Sequence, residues 1–231
     1  DQKALLYGDW NILDGVYFSE FKRDIHVCEP FVLESWWKKY VAFDYGLDML
    51  AAYEIVVDDS GNAFVIKEAY EPDLIISQAA AKIKEMVGND EIYQYFAPPD
   101  LWNRRQDSGK SVADIFLELG IYITKAANDR VQGWYNLKEY LHPFKDYEGK
   151  LRSKLTIFSN CLNLIRTLPT LQHDKHDPND VAGEPHELTH APDALRYFVA
   201  GRPLNSKLPI AKDEDILTFD DQLDNFFDFK I

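Results

Sequence analysis

The sequence predicts an α/β domain built on a mixed sheet, and three observations carry that expectation. Lys39-Tyr40-Val41-Ala42-Phe43-Asp44 is a short apolar run rich in Val, Tyr and Phe, the pattern of a buried strand. Ala52–Val57 and Ala63–Ala69 flank Asp58-Asp59-Ser60-Gly61-Asn62, a hairpin with suitable turn residues. Together these strands form an antiparallel meander. Beyond it, helical and strand patterns alternate, which is how parallel strands are joined.

Composition bounds the rest. A chain of 231 residues supports one substantial core and a small appendage. Its hydrophobic fraction of 46% is globular and not that of a disordered chain. No apolar run approaches the length of a bilayer span, so no membrane role is expected. Cys28 and Cys161 are far apart in sequence and fit a reducing compartment. The first residue is Asp, which we read as the start of a fragment or processed product. A net charge of −14 argues against a general nucleic-acid coat, whose affinity comes from a broad basic surface. It leaves room for a nuclease, because bound cations turn a carboxylate cluster toward phosphate.

The elements follow in order. Residues 1–36 read as a lead-in of turns and one strand, 37–206 as the main domain, and 207–231 as an acidic tail. After the meander, Ile75–Val87 is an amphipathic helix ended by Gly88-Asn89. Glu91–Phe96 is a fourth strand, running into Ala97-Pro98-Pro99-Asp100. Val112–Leu119 is a short helix stopped by Gly120, and Ile121–Ile123 a fifth strand. A helix runs from Asn128-Asp129-Arg130 to about Leu141. Leu151–Phe158 reads as an extra hairpin and Asn160–Thr167 as a helix. Residues 173–189 form an acidic loop, in which His173, His176 and His186 read as solvated side chains. The chain then enters a helix at His190-Ala191-Pro192-Asp193, where Pro192 suits the first turn. Gly109-Lys110-Ser111 superficially resembles a phosphate loop, but Arg104 stands where the first glycine is required.

Three antiparallel strands followed by strand–helix units match the ribonuclease H-like plan. That plan places the first strand at the centre of the sheet and brings together carboxylates from three places. These are the first strand, the end of the fourth strand and a late helix. Asp44, Asp100 and Asp193 occupy them. Phosphodiester hydrolysis needs charge stabilised on attacking oxygen, leaving oxygen and phosphorus, which two divalent cations roughly 3.5–4 Å apart supply. Carboxylate oxygens suit Mg²⁺ or Mn²⁺. Asp44 would bridge both ions, with Asp100 on one and Asp193 on the other. His190, three residues before Asp193 and able to face the same way, reads either as a ligand or proton shuttle or as a helix cap. Arg104, Arg105, Lys125, Asn128 and Arg130 are candidate contacts to DNA phosphate. For Arg130 a structural pairing with an acid is an equal reading.

Several short motifs also resemble, in this order, the C-terminal nuclease domain of the large terminase subunit of tailed bacteriophages. They are Tyr7-Gly8-Asp9-Trp10, Phe43-Asp44-Tyr45-Gly46, Ala97-Pro98-Pro99-Asp100-Leu101-Trp102-Asn103-Arg104-Arg105-Gln106, Asn128-Asp129-Arg130 with Gly133-Trp134, and His190-Ala191-Pro192-Asp193-Ala194-Leu195-Arg196-Tyr197. The resemblance implies an endonuclease that cuts concatemeric double-stranded viral DNA during packaging. It also implies an upstream ATPase, a small subunit and a portal or procapsid as partners, and the host cytoplasm as the setting. One departure is Pro98-Pro99, which precedes Asp100 where many relatives place the aspartate directly after the strand. Two alternatives stay open. One is another ribonuclease H-like nuclease, a junction resolvase or ribonuclease. The other is a docking module that binds portal or procapsid through the acidic tail.

Overall fold

The computed structural model describes residues 15–46, 48–104, 106 and 109–204. Tyr7-Gly8-Asp9-Trp10, Arg105 and the acidic tail lie outside them. Strands β1 (Val27–Cys28), β2 (Lys38–Tyr45), β3 (Met49–Val57), β4 (Ala63–Pro72), β5 (Ile92–Ala97), β6 (Ile123–Lys125) and β9 (Leu155–Phe158) form a seven-stranded sheet in the order β1-β9-β4-β3-β2-β5-β6. β7 (Phe144–Lys145) and β8 (Leu151–Arg152) form a separate small hairpin. The helices are α1 (Arg23–His26), α2 (Ile76–Val87), α3 (Val112–Glu118), α4 (Arg130–Leu141), α5 (Leu162–Thr167) and α6 (His190–Gly201).

The meander expected from sequence is present: β2 pairs antiparallel with β3, and β3 with β4. β2 then pairs parallel with β5, and β5 parallel with β6. Two expectations are corrected. The middle position of the sheet belongs to β3, with β2 beside it at the junction of antiparallel and parallel pairing. Leu155–Phe158 is not a hairpin arm. It joins the main sheet between β1 and β4, parallel to both, and only the short β7–β8 pair is an extra hairpin.

Side chains alternate across the sheet with period two, which divides the core into two layers. Tyr40 and Ala42 of β2 face a layer with α4, α5 and α6, including Trp134, Leu164, Leu195 and Phe198. Val41, Phe43 and Tyr45 face a second layer with α2 and α3, including Ala79, Ile83 and Phe116. Residues ahead of the meander belong to the first layer too, since Tyr17, Phe18 and Phe21 are buried in it. Local chemistry fixes the ends of several elements. Ser111 and Asp114 form a capping box at the start of α3, so the Gly109-Lys110-Ser111 run is a helix entry. Asp129 caps α4 by accepting from the Gln132 N–H at 2.9 Å. Glu68 accepts from the backbone N–H groups of Asn163 and Leu164 at the start of α5.

Candidate active site

Parallel pairing of β2, β5 and β6 sends their C-terminal ends to one edge of the sheet. Asp44 lies at the end of β2, Asp100 in the 3₁₀ turn Pro99–Trp102 just after β5, and Lys125 at the end of β6. By alternation Asp44 shares the face of Tyr40 and Ala42, the face that α6 covers. Helix α6 begins over this edge. Its apolar residues Ala191, Ala194, Leu195 and Phe198 are buried against the sheet, which fixes the rotation of the helix. His190 and Asp193, one turn apart, are thereby directed toward the end of β2.

The contacts follow from that placement. His190 Nδ1 lies 2.8 Å from Asp44 Oδ2. Its other nitrogen, Nε2, lies 3.1 Å from Asp48 Oδ2. Burial disfavours the charged imidazolium, but the hydrogen bond and charge of Asp44, with Asp48 behind them, outweigh it and raise the His190 pKa. Asp193 is held from the side: Arg196 Nε and Nη2 each approach its Oδ1 at 2.8 Å. Burial pushes the Asp193 carboxyl up, Arg196 opposes this, and the negative charge of Asp44 adds to the rise. The Tyr197 hydroxyl, one turn further along α6, is raised first by burial. It is raised further by Asp44, Asp193 and Asp100, against the opposing charge of Arg196. Three carboxylates therefore act on one small region.

Asp44, His190 and Asp193 are thus brought together as the sequence pattern anticipates. Asp100 is near enough to act on Tyr197, yet among the described residues no hydrogen bond joins it to the other three. The candidate phosphate contacts divide. Arg104, Lys125 and Asn128 are exposed, and Lys125 stands over the Trp102 ring at 5.9 Å. Arg130 is tied to Asp180 at 3.1 Å, and Asp180 also accepts from Trp134 Nε1 at 2.9 Å. Arg130 is thus engaged in the structural pairing that is one of its two readings, with 35% of its side chain still exposed.

Two residues were not anticipated. Asp48, in the turn between β2 and β3, accepts from His190 and also lies 3.1 Å from His186 Nδ1. His186 is no detached loop side chain: its ring meets that of His190 edge-on at 4.4 Å. The available signal was the spacing in His186-Glu187-Leu188-Thr189-His190, two imidazoles four residues apart. Nothing in the local sequence marks Asp48.

No protein-family model matches the sequence, and no curated protein matches it either. Solved structures do. The large terminase of a thermophilic bacteriophage superposes with a TM-score of 0.64 at 19% identity over 81% of this chain. The nuclease domain of the P22 large terminase gives 0.64 at 16% identity, covering 82% of this chain and 93% of that domain. The nuclease domain of the large terminase of bacteriophage SPP1, solved with bound Mn, gives 0.53 at 18% identity, covering 79% and 96%. The fold is that of the large-terminase nuclease domain. The chain spans about 45% of the length of the thermophilic phage's large terminase and nearly all of the isolated nuclease domains. In this fold, the edge bearing Asp44, His190 and Asp193 gathers more acidic and imidazole side chains than any one stretch of the sequence suggests. Its donor set fits divalent cations. The carboxylates of Asp44 and Asp193 are close enough for one to disfavour ionisation of the other, and an ion between such groups removes that repulsion.

Proposed function

We propose that this chain is the nuclease part of a bacteriophage large terminase and hydrolyses phosphodiester bonds of double-stranded viral DNA with divalent cations. The observation that carries the reading is the junction of α6 with the end of β2. There His190 contacts Asp44 at 2.8 Å, with Asp193 one turn on, in a fold shared with terminase nuclease domains. Asp44, Asp100 and Asp193, with His190, would hold two ions, Mg²⁺ or Mn²⁺, for which carboxylate oxygens are the suitable donors. Bound there, the ions supply positive charge that stabilises the charge developing on the phosphodiester.

The chain's own residues do the rest. Arg196 fixes one oxygen of Asp193, leaving the other oxygen unengaged by that guanidinium. Asp44 accepts from His190 and sets the orientation of the ring. As the alternative to ligation, His190, with its raised pKa, is suited to donate a proton. Arg104, Lys125 and Asn128 supply exposed contacts for phosphate along the same edge. Arg104 and Lys125 are two cations on an acidic chain, so binding should weaken with salt, with a log–log slope of about −2 from these two contacts. On this reading the partners are a terminase small subunit and a portal or procapsid, and the setting is the host cytoplasm. Among the described residues no helix is long and apolar enough to cross a membrane.

The test is cleavage of duplex plasmid in Mg²⁺ or Mn²⁺, with chelation as the control. Asp44→Ala and Asp193→Ala should each lower the rate by roughly 10²-fold or more, as loss of a charge-stabilising group does. Cleavage by Asp44→Ala at the wild-type rate would refute the assignment. Comparing linear duplex, branched DNA and an RNA–DNA hybrid separates a packaging nuclease from a resolvase or ribonuclease.

A further inference from the structure

We propose that the acidic, phenylalanine-bearing segment 213–231 docks on a groove of its own domain at the N-terminal end of β2. The groove is lined by Trp36, Lys38, Tyr93 and Arg202. It lies away from the candidate active site, and the docking does not depend on the nuclease reading. Lys38 opens β2 and Asp44 stands near its other end, so about 20 Å of strand separates them at about 3.3 Å per residue.

Two neighbouring hollows of about 230 and 190 Å³ make up the groove. Trp36 and Lys38 line both, Tyr93 the first and Arg202 the second. Trp36 is 65% exposed and Tyr93 64%, although large aromatic side chains gain most from burial. Two cations stand among the rings. Lys38 Nζ lies over the Tyr93 ring at 4.5 Å. Arg202 donates to the Tyr40 hydroxyl, and its guanidinium stands over the Tyr40 ring at 4.7 Å. The acids of the second hollow are already engaged. Asp58 accepts from the backbone N–H groups of Ser60 and Asn62 in its own turn. Asp59 accepts from Trp36 Nε1 at 3.0 Å. Glu91 lines the first hollow, where Lys39 is taken up by Asp90. The Tyr93 half therefore favours an apolar group and the Arg202 half a carboxylate.

The chain itself supplies an occupant of that chemistry. Residues 205–231 hold seven Asp or Glu against three Lys, with Phe219, Phe226, Phe227 and Phe229 among the acids. Carboxylates suit Lys38 and Arg202, and phenylalanine rings suit the open faces of Trp36 and Tyr93. The point of departure is also right. Arg202 lines the groove, and its carbonyl accepts from the Tyr140 hydroxyl at 2.7 Å. Leu204, where the described residues end, packs on the first core layer. The stretch from Leu204 to Asp213 reaches up to about 30 Å when extended. A short tether gives an effective concentration on the order of millimolar, so contacts that are weak between separate molecules suffice.

The first experiment is amide hydrogen exchange on the full chain, wild type against Trp36→Ser/Lys38→Glu. Both side chains are exposed, so the double variant keeps its core. Amides of 219–229 should exchange about tenfold or more faster in the variant, and high salt should remove the same protection from the wild type. The second experiment is binding of a synthetic peptide of residues 213–231 to full chains. The Phe226→Ser/Phe227→Ser/Phe229→Ser chain, whose own segment cannot dock, should bind it about tenfold or more tightly than the wild type, whose segment competes. Adding Trp36→Ser/Lys38→Glu to that chain should abolish the binding. The proposal is overturned if 219–229 exchange equally in wild type and groove variant. It is also overturned if the peptide binds the wild type and the triple variant alike, or binds neither. Persistence of peptide binding after the groove substitutions overturns it too. Neither experiment reads cleavage, so failure here and failure of the nuclease reading are distinct results.

Discussion

Replacing Arg196 by Met tests how Asp193 is held at the head of the site. The Arg196 side chain is 6% exposed and that of Asp193 is 15% exposed, so the pair is largely out of water. Met keeps most of the stem that packs beside Gly133, where an added Cβ would meet Arg196 Cγ at 2.7 Å. It removes the guanidinium and both 2.8 Å contacts to Asp193 Oδ1. It also removes the stacking of that guanidinium over Trp134 and Tyr197, at 5.0 and 4.6 Å. Breaking one side of a buried ion pair costs about 3–5 kcal/mol, because the remaining charge is left uncompensated. Arg130 also favours ionised Asp193, so we expect the lower end, about 3 kcal/mol. The assay is urea unfolding of the wild type, Arg196→Met, Asp193→Asn and the double variant. The double variant should recover most of the loss, because no buried charge is then left alone. A single-variant loss under about 1 kcal/mol would refute the reasoning. So would a double variant as unstable as the Arg196→Met protein.

Two further predictions concern the sheet that carries the site. Glu54 on β3 is fully buried, and burial, against the opposing contact of Lys67 at 2.9 Å, raises its pKa from 4.5 to about 7. The folded state therefore binds its proton more tightly than the unfolded state, so the stability from this group is present below pH 4.5 and lost as pH rises to about 7. Glu54→Gln should remove a fall on the order of 3 kcal/mol across that window; parallel stability–pH curves for the two proteins would show the cause to be elsewhere. Gly201 ends α6, and a Cβ there would overlap the buried Phe96 ring. Gly201→Ala should cost about 1–3 kcal/mol by overpacking, seen as a melting temperature lower by about 2–4 °C per kcal/mol. An unchanged melting temperature would mean that the ring moves aside freely.

What the sequence discloses about this fold depends on how far apart the interacting residues lie. The meander is legible because its strands are neighbours in the chain and their turns carry Asp, Gly and Asn. The face of Asp44 follows from alternation with Tyr40 and Ala42, and the pairing of His190 with Asp193 from helical spacing. β9 is a different case. Three of its four residues pair with β4 from more than eighty residues earlier, and no local pattern separates such a strand from a hairpin arm. Asp48 is the extreme example. An exposed aspartate in a turn is what turn chemistry alone provides, and it becomes distinctive only because His186 and His190 arrive beside it 138 and 142 positions later. His186 is the opposite case: its ring partner His190 is only four residues away, and the acidic loop around it masks a spacing that is local. Asp44 then has two consequences that its strand alone does not reveal. Its carboxylate belongs with Asp193 and Asp100 at the sheet edge, and it sets which nitrogen of His190 faces Asp48. A change at Asp44 should therefore be felt in both places, whereas a change at Asp193 should be felt only at the edge.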